Sequence, residues 1–82
     1  MNKNNFVLII ECVRKGLDGK DRVSFNELRR KNPIINTTAE FFQQALKEHS
    51  AIVPADLKFS QKKGTVDPSV IVDLEIEKVR NS

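Results

Sequence analysis

The apolar residues of this chain keep one period up to His49 and a different one after Asp56, and that switch restricts the fold more than any other feature. Before it they recur at three- and four-residue intervals, as on helices with one buried face. After it they alternate, as on strands. Helices followed by strands predict an α+β domain. No repeat, linker or low-complexity segment divides the 82 residues, so 1–82 reads as a single domain. A chain of that length buries only about 60–65% of its unfolded surface, so its core is thin.

The first helical pattern spans about Asn4 to Lys15. Phe6, Ile9, Ile10, Val13 and Leu17 share one face, while Val7, Leu8 and Cys12 lie off it. A helix apolar on most sides is expected to be mostly buried. Arg14 and Lys15 oppose the negative end of its dipole, and Gly16 is the expected left-handed stop. A strand over Phe6–Ile10 competes, because short apolar runs are ambiguous. The glycine after twelve residues favours helix.

After the turn-rich Leu17–Asp21, Arg22-Val23 is extended enough for a short strand. Ser24-Phe25-Asn26-Glu27 is then a capping box, with Val23 and Leu28 at the positions of a hydrophobic staple. A short helix therefore opens at Phe25 and stops by about Asn32, ahead of Pro33. Ile34 and Ile35 are expected to plug the core. Thr37 and Glu40 form a second capping box, opening a helix from Thr38 to about His49. Ala39, Phe42, Ala45 and Leu46 mark its buried face, with Phe41 alongside. Glu40, Gln43, Gln44, Lys47 and Glu48 point outward.

Beyond the switch, Leu57–Ser60 alternates. In Ser69–Glu77, Val70, Val72, Leu74 and Ile76 alternate with Asp73, Glu75 and Glu77. A helix opening at Asp67-Pro68 is the rival, but it would scatter Val70 and Leu74 to the far side. Two antiparallel strands joined by a loop tipped by Lys62-Lys63-Gly64 explain more residues.

Composition bounds the function. The charge is +3, with fourteen Lys and Arg against eleven Asp and Glu. Seven bases against three acids lie between Arg14 and Lys31, and Lys58, Lys62 and Lys63 form a second basic zone. One cysteine and one histidine supply neither an internal disulfide nor a soft-ligand zinc site. The longest apolar run, Phe6–Ile10, is far short of the ~20 residues a membrane span needs. These features predict a cytoplasmic protein with no membrane partner. No glycine-rich phosphate loop, nucleophile elbow or catalytic histidine pair is present, so no enzyme, catalytic residue, metal or cofactor is expected. The Asp73/Glu75/Glu77 series reads as the solvent side of a strand. Met1 and the loose Arg80-Asn81-Ser82 end are compatible with a complete small gene product.

Helix, short strand, two helices and a C-terminal β-hairpin is an order that resembles the winged helix-turn-helix superfamily. The likeness covers nearly the whole chain and is architectural, with no subfamily motif. It implies a small winged-helix-like domain that binds double-stranded DNA as a regulator, through the third helix (about 38–49) and a basic hairpin wing (about 61–66). On that resemblance Gln43, Gln44 and Lys47 face base edges, Thr37 and Thr38 hold a phosphate at the helix start, and Arg29, Arg30, Lys31, Lys62 and Lys63 neutralise phosphates. The long connection between the second and third helices departs from a tight helix-turn-helix, and the third helix carries no arginine. The alternative is a small non-enzymatic interaction module that docks on a larger protein partner. Dimerisation through the apolar first helix is a further expectation, since it would bury the excess apolar surface.

Overall fold

A computed structural model describes residues 1–79; the Arg80-Asn81-Ser82 end lies outside the described residues. The elements run α1 (Lys3–Gly16), β1 (Arg22–Ser24), α2 (Phe25–Lys31), α3 (Ala39–Glu48), a 3-10 turn (Ser50–Ile52), β2 (Leu57–Lys63) and β3 (Ile71–Lys78). The fold is a small α+β domain in which three helices cover one face of an antiparallel sheet.

The expected C-terminal β-hairpin is corrected to a three-stranded sheet. Its strand order is β1-β3-β2, so the last strand is the central one. Arg22, Val23 and Ser24 face Glu77, Ile76 and Glu75, and Leu57–Lys63 covers the other edge of β3. Lys62-Lys63-Gly64 is not the loop tip either. Lys62 and Lys63 belong to β2, opposite Asp73 and Ile71 across a bulge. The chain reverses instead at Asp67-Pro68-Ser69. The Asp67 carboxylate accepts from the Ser69 N–H (3.0 Å) and hydroxyl (2.6 Å), and the Val70 N–H donates to the Asp67 carbonyl. Those hydrogen bonds hold the Asp67 carboxyl below its ordinary range. An Asp-Pro turn with its own side-chain bonds out-competes both the Lys-Gly tip and the rival helix.

Phe42 anchors the core from α3. Its ring stacks on Phe6 of α1 (centroids 5.4 Å) and on Phe25 of α2 (5.0 Å). Val23, Leu57, Leu74 and Ile76 close the layer from the sheet. Of the two residues expected to plug the core, Ile35 is buried and Ile34 is 64% exposed. Val70 and Val72 are likewise exposed: Val70 precedes β3, and Val72 is the residue skipped at the bulge, where Ile71 packs against the core in its place. The first helix is not buried on most sides: Phe6, Ile9, Ile10 and Val13 are, whereas Val7 and Leu8 face out.

Gly16 has a different task from the one expected. It is the last residue of α1, and the residue after it, Leu17, is right-handed. The left-handed glycine is Gly19, in the turn (φ 73°). A Cβ on Gly16 would lie 2.4 Å from Leu28 Cδ2, so the glycine lets α1 and α2 approach closely. In α2 the Ser24 hydroxyl accepts from the Glu27 N–H (3.0 Å) as expected, while the Glu27 carboxylate takes Lys31 one turn on (3.1 Å). The α3 cap is one residue later than the sequence suggests. Thr38, with extended backbone (φ −87°, ψ 162°), accepts from the Phe41 N–H at 3.1 Å. Either threonine can cap, and the extended conformation at Thr38 decides between them.

Candidate nucleic-acid interface

The two faces of the sheet carry their charge differently. Alternation puts Asp73, Glu75 and Glu77 opposite to buried Leu74 and Ile76, on the face away from the helices. Cross-strand register brings basic residues to them from both sides. Arg22 of β1 lies opposite Glu77 and donates to Glu75 at 2.8 Å. Lys62 of β2 approaches the other Glu75 oxygen at 3.8 Å, and Lys58 lies opposite Glu77. Asp73 turns to α2 instead, where its carboxylate accepts from the Asn26 N–H at 3.0 Å. Asn26 returns a bond from Nδ2 to the Val72 carbonyl at 2.8 Å. The acidic series is therefore a charge ladder and a second helix cap rather than a free solvent face.

The helix-facing side of β2 is the contrasting region. Phe59 and Gln61 register with Ile76 and Leu74, which places them on that side. A groove of about 500 Å³ runs between β2 and α3, lined by Gln43, Leu46, Lys47, Val53 and Phe59 among others. No carboxylate lines it. Gln43 is not on the outward side of α3 as expected. It is half-buried on the flank facing this groove, and its Oε1 is buried with no hydrogen-bond partner among the described residues. The reason is angular: Gln43 follows Phe42 and precedes Leu46 by three, so it borders the buried stripe. Lys47 is exposed at the groove's rim. Gln44 is exposed too, between Glu40 and Glu48 on the outermost face of α3. Sequence reasoning missed Gln61, although the Leu57/Phe59 alternation points to it.

The remaining candidates fall elsewhere. Arg29 and Arg30 line an open groove with Ser24, Asn26, Pro33 and Asp73. Arg29 Nε and Asn26 Oδ1 are buried there without a protein partner among the described residues. Lys31 is committed to Glu27, and that bond holds the Glu27 carboxyl below its ordinary range. Thr38 is the α3 cap. Thr37 borders a cleft of about 300 Å³ shared with Leu8, Ile34 and Phe41. Lys62 is turned to the ladder side, while Lys63 lies beyond the bulge. The ten expected DNA contacts thus divide among separate surfaces, and the structure brings Gln43 and Lys47 together with Phe59.

A bidentate bond ties this region to α1. Both terminal nitrogens of Arg14 donate to Asp56, each at 3.0 Å, just ahead of β2. The pairing raises Arg14 and lowers Asp56 from their ordinary values. His49 ends α3 with its ring 5.0 Å from Phe6 and Nε2–H donated to the Met1 carbonyl. Among the described residues no group of three His, Cys, Asp or Glu is placed to hold a metal, and no helix is long and apolar enough to cross a membrane. No protein-family model, curated protein or solved structure matches the chain.

Proposed function

We propose that the protein binds double-stranded DNA through the α3–β2 groove. The observation that carries this reading is the segregation of charge across the sheet. The carboxylates of β3 are engaged on the far face by Arg22, Lys62 and the start of α2. The groove face offers Gln43, Lys47 and Gln61 with no acid among its lining. The order α1-β1-α2-α3-β2-β3, with the sheet arranged β1-β3-β2, supports the winged-helix comparison on which the reading rests.

In this arrangement Gln44 and Lys47 read base edges and Gln43 supports them from the groove wall. Lys63 neutralises a phosphate beside them. Lys62 does not, because Glu75 holds it on the other face. Arg29 and Arg30 are contacts only if the duplex also reaches the α2 groove.

Anisotropy of a labelled random-sequence duplex, titrated at two salt concentrations, tests the proposal. Binding should weaken steeply with salt. Lys47→Ala and Lys63→Ala should each reduce the slope of log K against log salt by about 0.9, and Lys62→Ala should leave it unchanged. Absence of binding at low salt would sink the proposal, and a slope lost equally with Lys62→Ala would reassign the face.

One observation favours a protein partner as the second reading. Leu8, Ile34 and Phe41 are 42%, 64% and 53% exposed and share one cleft on the opposite flank of α3. Phe41→Ser should abolish pull-down of such a partner while leaving duplex binding intact.

A further inference from the structure

The backbone of β2 carries information that its side chains do not. The Leu57 N–H donates to the Pro54 carbonyl, away from β3, and the Val79 N–H donates to the Asp56 carbonyl across the pair. In an antiparallel ladder both polar groups of a residue point to the same edge, and the edge alternates along the strand. Residues 56, 58, 60 and 62 therefore bond to β3. Phe59 and Gln61 present their N–H and C=O groups outward, on an edge that no other strand covers among the described residues. The α3–β2 groove opens directly beside that edge, with Leu46, Val53 and Phe59 on its apolar wall.

We propose that the β2 edge is a docking site for an extended acidic peptide of a partner protein, which adds a fourth strand beyond β2. Four backbone bonds to Phe59 and Gln61 fix its position. Alternate apolar side chains enter the groove against Phe59, and the residues between them are acidic. Their counter-charges are on the outer face of β2, a strand with three lysines and no acid, where Lys58 and Lys62 stand next to the added strand and Lys62 divides its charge between it and Glu75. The same charges disfavour a second copy of this chain in the register that would use the same four backbone groups. Antiparallel self-pairing that aligns Phe59 with Gln61 sets Lys58 opposite Lys62 twice, and like charges directly opposite destabilise a pair. Lysines on an edge are an ordinary guard against self-association, and they leave it open to a strand of opposite charge. The inference does not depend on DNA binding, since the backbone groups of β2 are present whether or not a duplex contacts α3.

The test uses a fluorescein-labelled heptapeptide, Glu-Val-Glu-Val-Glu-Val-Glu, titrated with the whole chain at low salt without DNA. Saturable binding is expected, with amide shifts centred on Phe59 and Gln61 in nitrogen-15 spectra. The lysine counterpart of the peptide should not bind. A peptide N-methylated at alternate residues, in the set that faces β2, keeps its charge and should bind at least about tenfold more weakly, the loss expected for one to two backbone hydrogen bonds. Gln61→Pro removes an outward N–H without touching the ladder to β3, and should weaken binding to a similar degree. Should that variant fold poorly, the N-methylated peptide still decides. Equal affinity for both N-methylated sets, absence of binding, or shifts confined to α1 and α2 would overturn the proposal. So would a dimer of the free chain that Gln61→Pro dissociates, because the edge would then belong to a second copy.

Discussion

The two faces of the sheet make opposite use of the same kind of residue. On the outer face Arg22, Glu75, Glu77 and Lys62 lie within reach of one another, and their charges cancel. On the groove face Lys47 stands beside Gln43 and Phe59 with no acid among the lining residues. Lys62 and Lys63 are neighbours in sequence, yet one is paired with Glu75 and the other lies past a bulge. Strand register, rather than the local count of lysines, decides which positive charges a partner meets.

The largest effect should come from the layer that both faces share. Phe42→Ala removes the ring between Phe6 and Phe25 and should cost about 3–5 kcal/mol, read from denaturant midpoints by circular dichroism. A loss below about 1 kcal/mol would show that the aromatic stack is not the common support. Asp73→Ala comes next. It takes from α2 the cap that the sheet supplies to Asn26, for about 1 kcal/mol, while the salt slope of duplex binding should stay as it was.

Asp56→Asn separates the region by pH. The Asp56 carboxyl is held below its ordinary value by Arg14, so its contribution is complete above the unfolded-state value and is lost as pH falls through the folded one. The melting temperatures of the two forms should differ at neutral pH and converge on acidification below the usual carboxylate range. A constant difference would mean that the Arg14 pair is not the cause. The smallest effect belongs to Glu75→Gln, which loosens an exposed ladder worth about 0–1 kcal/mol. It frees Lys62 on the outer face, so a marked gain in specific duplex affinity would contradict the contrast between the faces.

What was legible in the sequence was local. The Ser24 cap, the extended Arg22-Val23, the Pro33 limit and the buried set Ala39, Phe42, Ala45 and Leu46 all follow from residues a few positions apart. What was not legible depends on distant partners. Gly16 is required by the close approach of Leu28 from another helix, not by the end of its own. Asp73 caps α2 from 47 residues away, which no spacing rule reveals. Gln43 lies near the edge of the α3 stripe, and its side was decided by where β2 passes. The fate of the Lys62-Lys63 pair followed from the Asp67-Pro68 turn, whose side-chain bonds moved the reversal beyond Gly64.

The central position of β3 also sets an order of events during synthesis. Arg22 and its partner Glu75 are 53 residues apart in the chain, and β2 has no strand to pair with until Ile71–Lys78 exists. At about 5–20 residues per second, β1 waits roughly 3–10 s for its partner after it is made. Throughout that interval the helices have no sheet to cover, and Phe42 and Phe25 lack one side of their enclosure. A nascent chain halted before Ile71 would therefore offer chaperones and proteases an uncovered aromatic layer, and release from that state would depend on the last strand emerging.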